Sequence, residues 1–303
     1  MAKIAVELER ALARRAAHGT DGAASARMIA SGDGWTVADV VCTSGPQDRP
    51  FEERHTRYSI AMVVAGSFEY RTPRGHALMT PGSLLLGNEG QCYECGHQHA
   101  AGDRCVSFWY APEYFEQMAA DSGARGRLGF RNARLPAIAA VSPLLARAAA
   151  GAVGSADVGW EEIAVKLAAS ALDADRGGRA DVNVLPLNAV ARVTRTIRAI
   201  ERHPDASLSL QSLARGAGLS PYHFLRTFER LTGVTPHQYV RRARLRDAAL
   251  RLTDSPAKIV DVALDSGFGD VSNFNRAFRA EFGVSPSRWE RRDRRDSRDR
   301  REI

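Results

Sequence analysis

Two hydrophobic periods divide the chain. Between Trp35 and Tyr110 the apolar residues fall in short runs. WTVADVVC alternates in places, and YSIAMVVAGSFEYRT is rich in β-branched and aromatic residues with a glycine break. Pro81-Gly82 signals a turn before SLLLG, and RCVSFWY reads as another strand. Short strands at this spacing predict a β-barrel or a double-sheet sandwich. After Pro112 the period becomes helical, in EYFEQMAAD, PLLARAAAGAV and WEEIAVKLAASALDA. Trp160, Ile163, Ala164, Leu167 and Ala171 make one apolar stripe on the last of these. The stripe suits either a pairing face between two protomers or packing on its own domain. DADRGGRADVNVLP is polar and Gly-containing and reads as a linker. Everything from Asn188 onward is predicted helical, until the tail RRDRRDSRDRRE, which lacks apolar residues and is expected to be disordered or a loosely charged helix end. The opening MAKIAVELERALARRAAHG suits a short amphipathic helix or a disordered lead-in. The predicted organisation is a lead-in at 1–25, a strand-rich domain at 26–175, a linker at 176–187, a helical domain at 188–292 and a charged tail at 293–303.

The helical domain repeats itself. LARGAGLSPYHFLRTFERLTGVTPHQY, from Leu213 to Tyr239, matches VALDSGFGDVSNFNRAFRAEFGVSPSRW, from Val262 to Trp289. Ala214/Ala263 and Gly218/Gly267 are offset by 49 residues. Phe224/Phe274, Arg226/Arg276, Phe228/Phe278, Gly233/Gly283, Val234/Val284 and Pro236/Pro286 are offset by 50, so the second turn carries one inserted residue. Each copy has the chemistry of a helix-turn-helix. A first helix (LQSLARGA or IVDVALDS) stops at a glycine able to adopt a left-handed conformation. Leu219 or Phe268 fills the angle. Ser220 or Asp270 is a good N-cap for the second helix, and Pro221 fits its first turn. Phe224/Phe228 and Phe274/Phe278, four residues apart, bury one face of that helix and leave the other free for a major groove.

Charge sharpens this reading. The whole chain carries +7, but residues 188–303 hold 23 basic and 14 acidic side chains, a net of +9, while residues 1–187 hold 19 and 21, a net of −2. Cationic surface confined to the repeated end attracts a polyphosphate through counterion release and steering.

Residues from about Ala189 to Arg292 resemble the DNA-binding domain of the AraC/XylS family of regulators, and GFGDVSNFNRAFRAEFGVSPSRWERR is similar to that family's signature. The resemblance implies two three-helix subdomains joined by one long helix, here TPHQYVRRARLRDAALRLTDS, with Tyr239, Ala243, Leu245, Ala248, Ala249 and Leu252 as its apolar contacts. It also implies two reading helices in successive major grooves, about 34 Å apart. A helix of roughly 20 residues spans about 30 Å, a suitable connector. Tyr222, His223 and Arg226 then point outward from the first reading helix, and Val271, Ser272, Asn273, Asn275 and Arg276 from the second. By resemblance Arg226 sits at a base-contacting position. Chemically, a guanidinium suits guanine O6/N7, an asparagine suits adenine N6/N7, and Tyr222 suits a thymine methyl. Arg276 alternatively binds phosphate, and either arginine alternatively stays solvated or in an intrahelical ion pair. Arg241, Arg242, Arg244, Arg246 and Arg251 suit phosphate contacts or surface ion pairs better than base readout.

The strand-rich half resembles the cupin-like sensor domain often joined to this module, through its strand spacing and its Pro81-Gly82 turn. The fold class expected is therefore multidomain α+β, a cupin-like double-sheet or β-barrel domain with helices, followed by an all-α domain of two helix-turn-helix units. This implies a double-stranded DNA operator, an unidentified small-molecule effector, RNA polymerase and a second copy of the chain as partners, with no cofactor. The alternative is a metal- or redox-responsive regulator built on Cys92, Cys95, His97, His99 and Cys105, whose soft and borderline ligands suit Zn²⁺. Crowded spacing on a strand, where alternate side chains face opposite ways, favours plain hairpin residues with buried thiols instead. An enzyme is not expected. The glutamate that follows His-x-His in catalytic cupins is missing after His99, and no nucleophile triad or phosphate loop appears. Four cysteines do not make a disulfide framework, no run is apolar enough for a membrane helix, and the charged N-terminus is not a secretory signal, so a cytoplasmic location is expected.

Overall fold

The computed structural model describes residues 3–122, 129–177, 187–254 and 257–289. The predicted linker falls almost wholly, and the charged tail wholly, outside these residues.

The amphipathic opening forms a helix, α1 (Lys3–His18), which seats Leu8 in a small apolar cluster with Ala65 and Ala149. The strands follow: β1 (Ala24–Gly32), β2 (Trp35–Cys42), β3 (Phe51–Arg54), β4 (Tyr58–Gly66), β5 (Phe68–Thr72), β6 (Gly75–Met79), β7 (Leu84–Gly87), β8 (Cys92–Gly96), β9 (Asp103–Tyr110) and, after helix α2 (Pro112–Asp121), β10 (Arg134–Leu135). They form two antiparallel sheets, ordered β1-β2-β9-β4-β7-β10 and β3-β8-β5-β6. The expected double-sheet arrangement is present. β1 lies beyond the predicted strands. It is an edge strand with a mostly exposed face, so no buried alternation marks it in the sequence.

The six-stranded sheet is covered on both faces. Along β4, Ala61 and Val63 point toward the four-stranded sheet and pack with Phe68, Tyr70 and Met79. Ile60 and Met62 point the other way and pack beneath helices α3 (Ser142–Ala152) and α4 (Trp160–Gly177). This second packing decides the role of the apolar stripe on α4. Ile163, Ala164, Leu167 and Ala171 are fully buried against their own sheet, and the Tyr110 hydroxyl donates to the Ala164 carbonyl at 2.9 Å. The stripe is core, and is not available to pair two protomers.

The C-terminal half is helical throughout, as expected: α5 (Leu187–Arg202), α6 (Leu210–Ala217), α7 (Pro221–Thr232), α8 (Pro236–Asp254), α9 (Ile259–Asp265) and α10 (Val271–Phe282). Helix α8 serves two cores. Tyr239 and Ala243 pack with α5, α6 and α7, whereas Leu245, Ala248, Ala249 and Leu252 pack with α9 and α10. All six apolar contacts anticipated on this helix are buried. The strand domain enters both cores, with Leu78 of β6 in the first and Ala146 of α3 in the second. Among the described residues no helix is long and apolar enough to cross a membrane.

Candidate nucleic-acid interface

Each repeat folds as its local chemistry dictates. Helix α6 stops at Gly218, whose φ of 65° is the left-handed conformation glycine adopts without a Cβ penalty. Ser220 then caps α7 by accepting from the His223 amide, and Asp270 caps α10 by accepting from the Asn273 amide at 2.7 Å. Phe224 and Phe228 on α7, and Phe274 and Phe278 on α10, are fully buried. The opposite faces are open. Tyr222, His223 and Arg226 are exposed on α7, and Ser272, Asn273, Asn275 and Arg276 on α10, with Val271 half-buried at the helix start. The two helices thus present side chains at matching positions 50 residues apart.

Arg226 lies against its own helix, its Nη1 donating to the Tyr222 hydroxyl at 3.4 Å and its guanidinium 5.9 Å from the Tyr222 ring centre. Tyr222, 62% exposed, rests its ring edge on His223. An exposed aromatic–guanidinium pair holds a planar donor ready without burying it. Of the five connector arginines, four serve the fold. Arg242 pairs with Glu281 and donates to the Ala137 carbonyl. Arg244 donates to the carbonyls of Pro204, Ala206 and Gly267. Arg246 pairs with Glu201, and Arg251 with Asp247 and Asp265. Arg241 is exposed. The ion-pair alternative therefore accounts for most of this cluster.

Residues 213–292 match the family of helix-turn-helix domains. The chain is 34% identical over 96 residues to the regulatory protein SoxS of Salmonella typhimurium, a match spanning 32% of this chain and 90% of that protein. It is 33% identical over 88 residues to the HTH-type transcriptional activator AarP of Providencia stuartii, spanning 29% of this chain and 65% of AarP. The chain belongs to the AraC/XylS family. It is a DNA-binding transcriptional regulator of that family. Among solved structures, ToxT of Vibrio cholerae aligns over 86% of this chain and 98% of its own at 12% identity, with a TM-score of 0.37, a likeness too loose to add to the family assignment.

AraC/XylS membership leaves the strand domain's chemistry to be read from its own residues. All four cysteines stand as free thiols. Of the five sequence candidates for a metal or redox cluster, Cys92 is half-buried on β8, whereas Cys95 and Cys105 lie in the core between the sheets. Burial pushes both of the latter thiols well up, which keeps them protonated and unreactive. His99 Nε2 lies 3.8 Å from Glu69 Oε1. His97 donates through Nε2 to Asp103 Oδ1 at 2.7 Å. Burial opposes a charge on His97, yet the Asp103 and Cys42 groups outweigh it and raise its pKa to about 9. Among the described residues the ligand atoms that converge belong to Cys42, His97 and Asp103. Sequence reasoning missed Cys42 and Asp103 because they meet only through the β2–β9 register, which pairs Cys42 with Asp103.

It also missed the contacts that hold the reading helices from behind. Arg134 of β10 donates to the Leu231 carbonyl at the end of α7 at 2.6 Å and to the Leu78 carbonyl at 3.1 Å. Glu281 on α10 accepts from the Ser142 hydroxyl at 2.5 Å and from Arg242 Nε at 3.0 Å. These residues lie 97 and 139 positions apart from their partners, and no local motif marks them.

Proposed function

We propose that the chain is an effector-controlled regulator that reads an operator with α7 and α10 and sets their relative placement through its N-terminal domain. One observation carries this reading: both reading helices are tied from behind to the same strand domain, α7 through Arg134 and α10 through Ser142. A ligand that favours one arrangement of that domain biases both helices at once, because it acts through its differential affinity for two states. The effector site suggested is a cavity of about 340 Å³ where α1, β4 and α3 meet α5 and α8, with Leu8, Leu12, Val64 and Leu145 among its walls. Its size lies in the small-molecule range. The regulator acts in the cytoplasm as a homodimer together with RNA polymerase, and carries out no catalysis of its own.

On this reading Arg226 contacts guanine, Asn273 and Asn275 reach adenine, Tyr222 and Val271 touch thymine methyls, and His223, Ser272 and Arg276 complete the base and phosphate contacts. The test is an operator footprint and titration with full-length protein. Arg226→Ala is expected to lower specific affinity by about 1–3 kcal/mol and to relax selectivity at one base pair. An unchanged footprint and affinity would overturn the assignment.

A further inference from the structure

We infer that Arg195, Arg198 and Arg202 of α5, facing His99 of the strand domain, form a binding site for a small free anion of the pyrophosphate class. The three arginines follow one another at intervals of three and four residues, so they share one face of the helix. With His99 and the small side chains of Ala191 and Ala199 they line a cleft of about 400 Å³. No large apolar side chain lines it, so its occupant is polar, unlike a ligand of the apolar cavity that Arg198 and Arg202 also border. Because the strand domain supplies one wall, a small free anion fits the cleft better than the backbone of a duplex does.

The cleft carries more positive charge than the protein neutralises. Among the described residues no carboxylate is ion-paired with any of the three arginines. Nearby acids are committed elsewhere. Glu201 of α5 pairs with Arg246 at 2.6 Å. Glu69, 3.8 Å from His99, pairs with His76 at 2.8 Å and Arg71 at 3.3 Å. Glu9 and Asp205, which line the neighbouring cavity, ion-pair with neither Arg198 nor Arg202. Arg198 is half-buried, and both its burial and the charge of Arg202 lower its pKa. Like charges at this helical spacing are destabilising. A bound dianion relieves both burdens. Guanidinium forks hold phosphate oxygens two at a time, and a cleft lined by one sign of charge concentrates the other.

The location gives the anion a consequence. Arg192, on the same helix, donates to the carbonyls of Ala217 and Gly218 at 2.7 and 2.8 Å, at the turn before α7. An anion that ties α5 to the His99 loop therefore fixes that turn against the strand domain. The site is separate from the proposed effector cavity and does not depend on it.

Full-length protein is titrated with pyrophosphate by calorimetry, at fixed ionic strength and without DNA. We expect saturation at one anion per chain and a rise in Tm. Arg198→Gln should weaken binding about tenfold or more, while Arg57→Gln, at an exposed arginine of the strand domain, leaves it unchanged. Where Arg198→Gln fails to fold, Arg195→Gln and Arg202→Gln, both at exposed positions, make the same test. Without pyrophosphate, the triple variant Arg195→Gln/Arg198→Gln/Arg202→Gln should bind a random-sequence duplex as the wild type does, with the same salt dependence. No saturable binding to the wild type, or wild-type affinity in the folded variants, overturns the site. A triple variant whose duplex affinity and salt slope both fall also overturns it, since the arginines would then serve the DNA backbone. Failure of the pyrophosphate titration strikes this site alone and leaves the operator reading standing.

Discussion

The two helix-turn-helix units share one plan and differ in how they are held. Their reading helices have the same length, the same buried phenylalanines and the same left-handed glycine after the last turn. The first unit starts from a full capping box, in which Ser209 accepts from the Ser212 amide and the Ser212 hydroxyl accepts from the Ser209 amide. The second starts at Lys258, with no side-chain cap. A Cβ at Gly233 would sit on Pro136 of the strand domain, whereas among the described residues none comes within 4 Å of a Cβ at the corresponding Gly283. The second unit compensates with aromatic density: Phe278 meets Phe274, Phe282 and Trp289, while Phe228 meets Phe224 and Tyr239. Both units seat on the strand domain; the first adds a capping box and the Gly233–Pro136 contact, and the second adds ring contacts within its own core.

The largest test of this contrast is truncation at equivalent positions. Phe228→Ala and Phe278→Ala each remove a fully buried ring, and each is expected to destabilise by about 3–5 kcal/mol. The richer ring cluster places Phe278→Ala at the upper end. Calorimetry of the full chain measures both, and a smaller loss for Phe278→Ala would break the contrast.

Next in size is a pH effect expected to spare both units. His55 is buried in the strand domain, with Nε2 on the Tyr70 hydroxyl at 2.7 Å, Nδ1 on Ser59 Oγ at 3.1 Å and its ring stacked on Tyr93. Burial lowers its pKa from 6.5 to about 4. The unfolded chain therefore binds the proton more readily, and stability present above pH 6.5 is lost as pH falls toward 4. At about 1.4 kcal/mol per unit, the loss is about 3 kcal/mol. The histidines of the repeat region, His203, His223 and His237, are exposed. Denaturant unfolding across that pH range should show the loss in the wild type and a flattened profile in His55→Asn.

How much of this was legible in the sequence follows from the range of each interaction. The repeat was readable because its signals are local: a glycine, a cap and two phenylalanines within a dozen residues fix a helix-turn-helix wherever it occurs. The alternation of Ile60, Ala61, Met62 and Val63 was readable as strand but not as a strand buried on both faces, since helix cover and sheet cover both select apolar residues. Exposed β1 gave no period. Arg134, Ser142 and Glu281, like Cys42 and Asp103, are joined only by tertiary register, so composition gave no reason to single them out. The connector arginines were ambiguous for the same reason: their carboxylate and carbonyl partners lie mostly on other helices and loops.

The glycine pair tests the seating directly. Gly233 and Gly283 have φ of 77° and 74°, so alanine at either place meets the same backbone penalty, about 1–2 kcal/mol. At Gly233 a Cβ would also stand 2.7 Å from the Pro136 Cβ, so that contact must give. Gly233→Ala should therefore lose more stability than Gly283→Ala in thermal unfolding of the full chain. Equal losses would mean that the contact with Pro136 yields freely.

The smallest expected effects come from exchanging the caps. Ser209→Ala removes one side of the capping box and should cost about 1 kcal/mol. Lys258 has φ −65° and ψ 131°, close to the −67° and 153° of Ser220, so its backbone already has the shape of a capping residue. A hydroxyl there can accept one of the free amides of α9's first turn without moving the chain. Lys258→Ser should therefore stabilise by about 0.5–1 kcal/mol, with its gain confined to the second unit. Amide exchange resolves the two units separately: slower exchange in α9 for Lys258→Ser, and faster exchange in α6 for Ser209→Ala, would narrow the difference between them from both sides. A Lys258→Ser variant no more protected than the wild type would show that α9 is held by the burial of Val262 and Ala263 rather than limited by its missing cap.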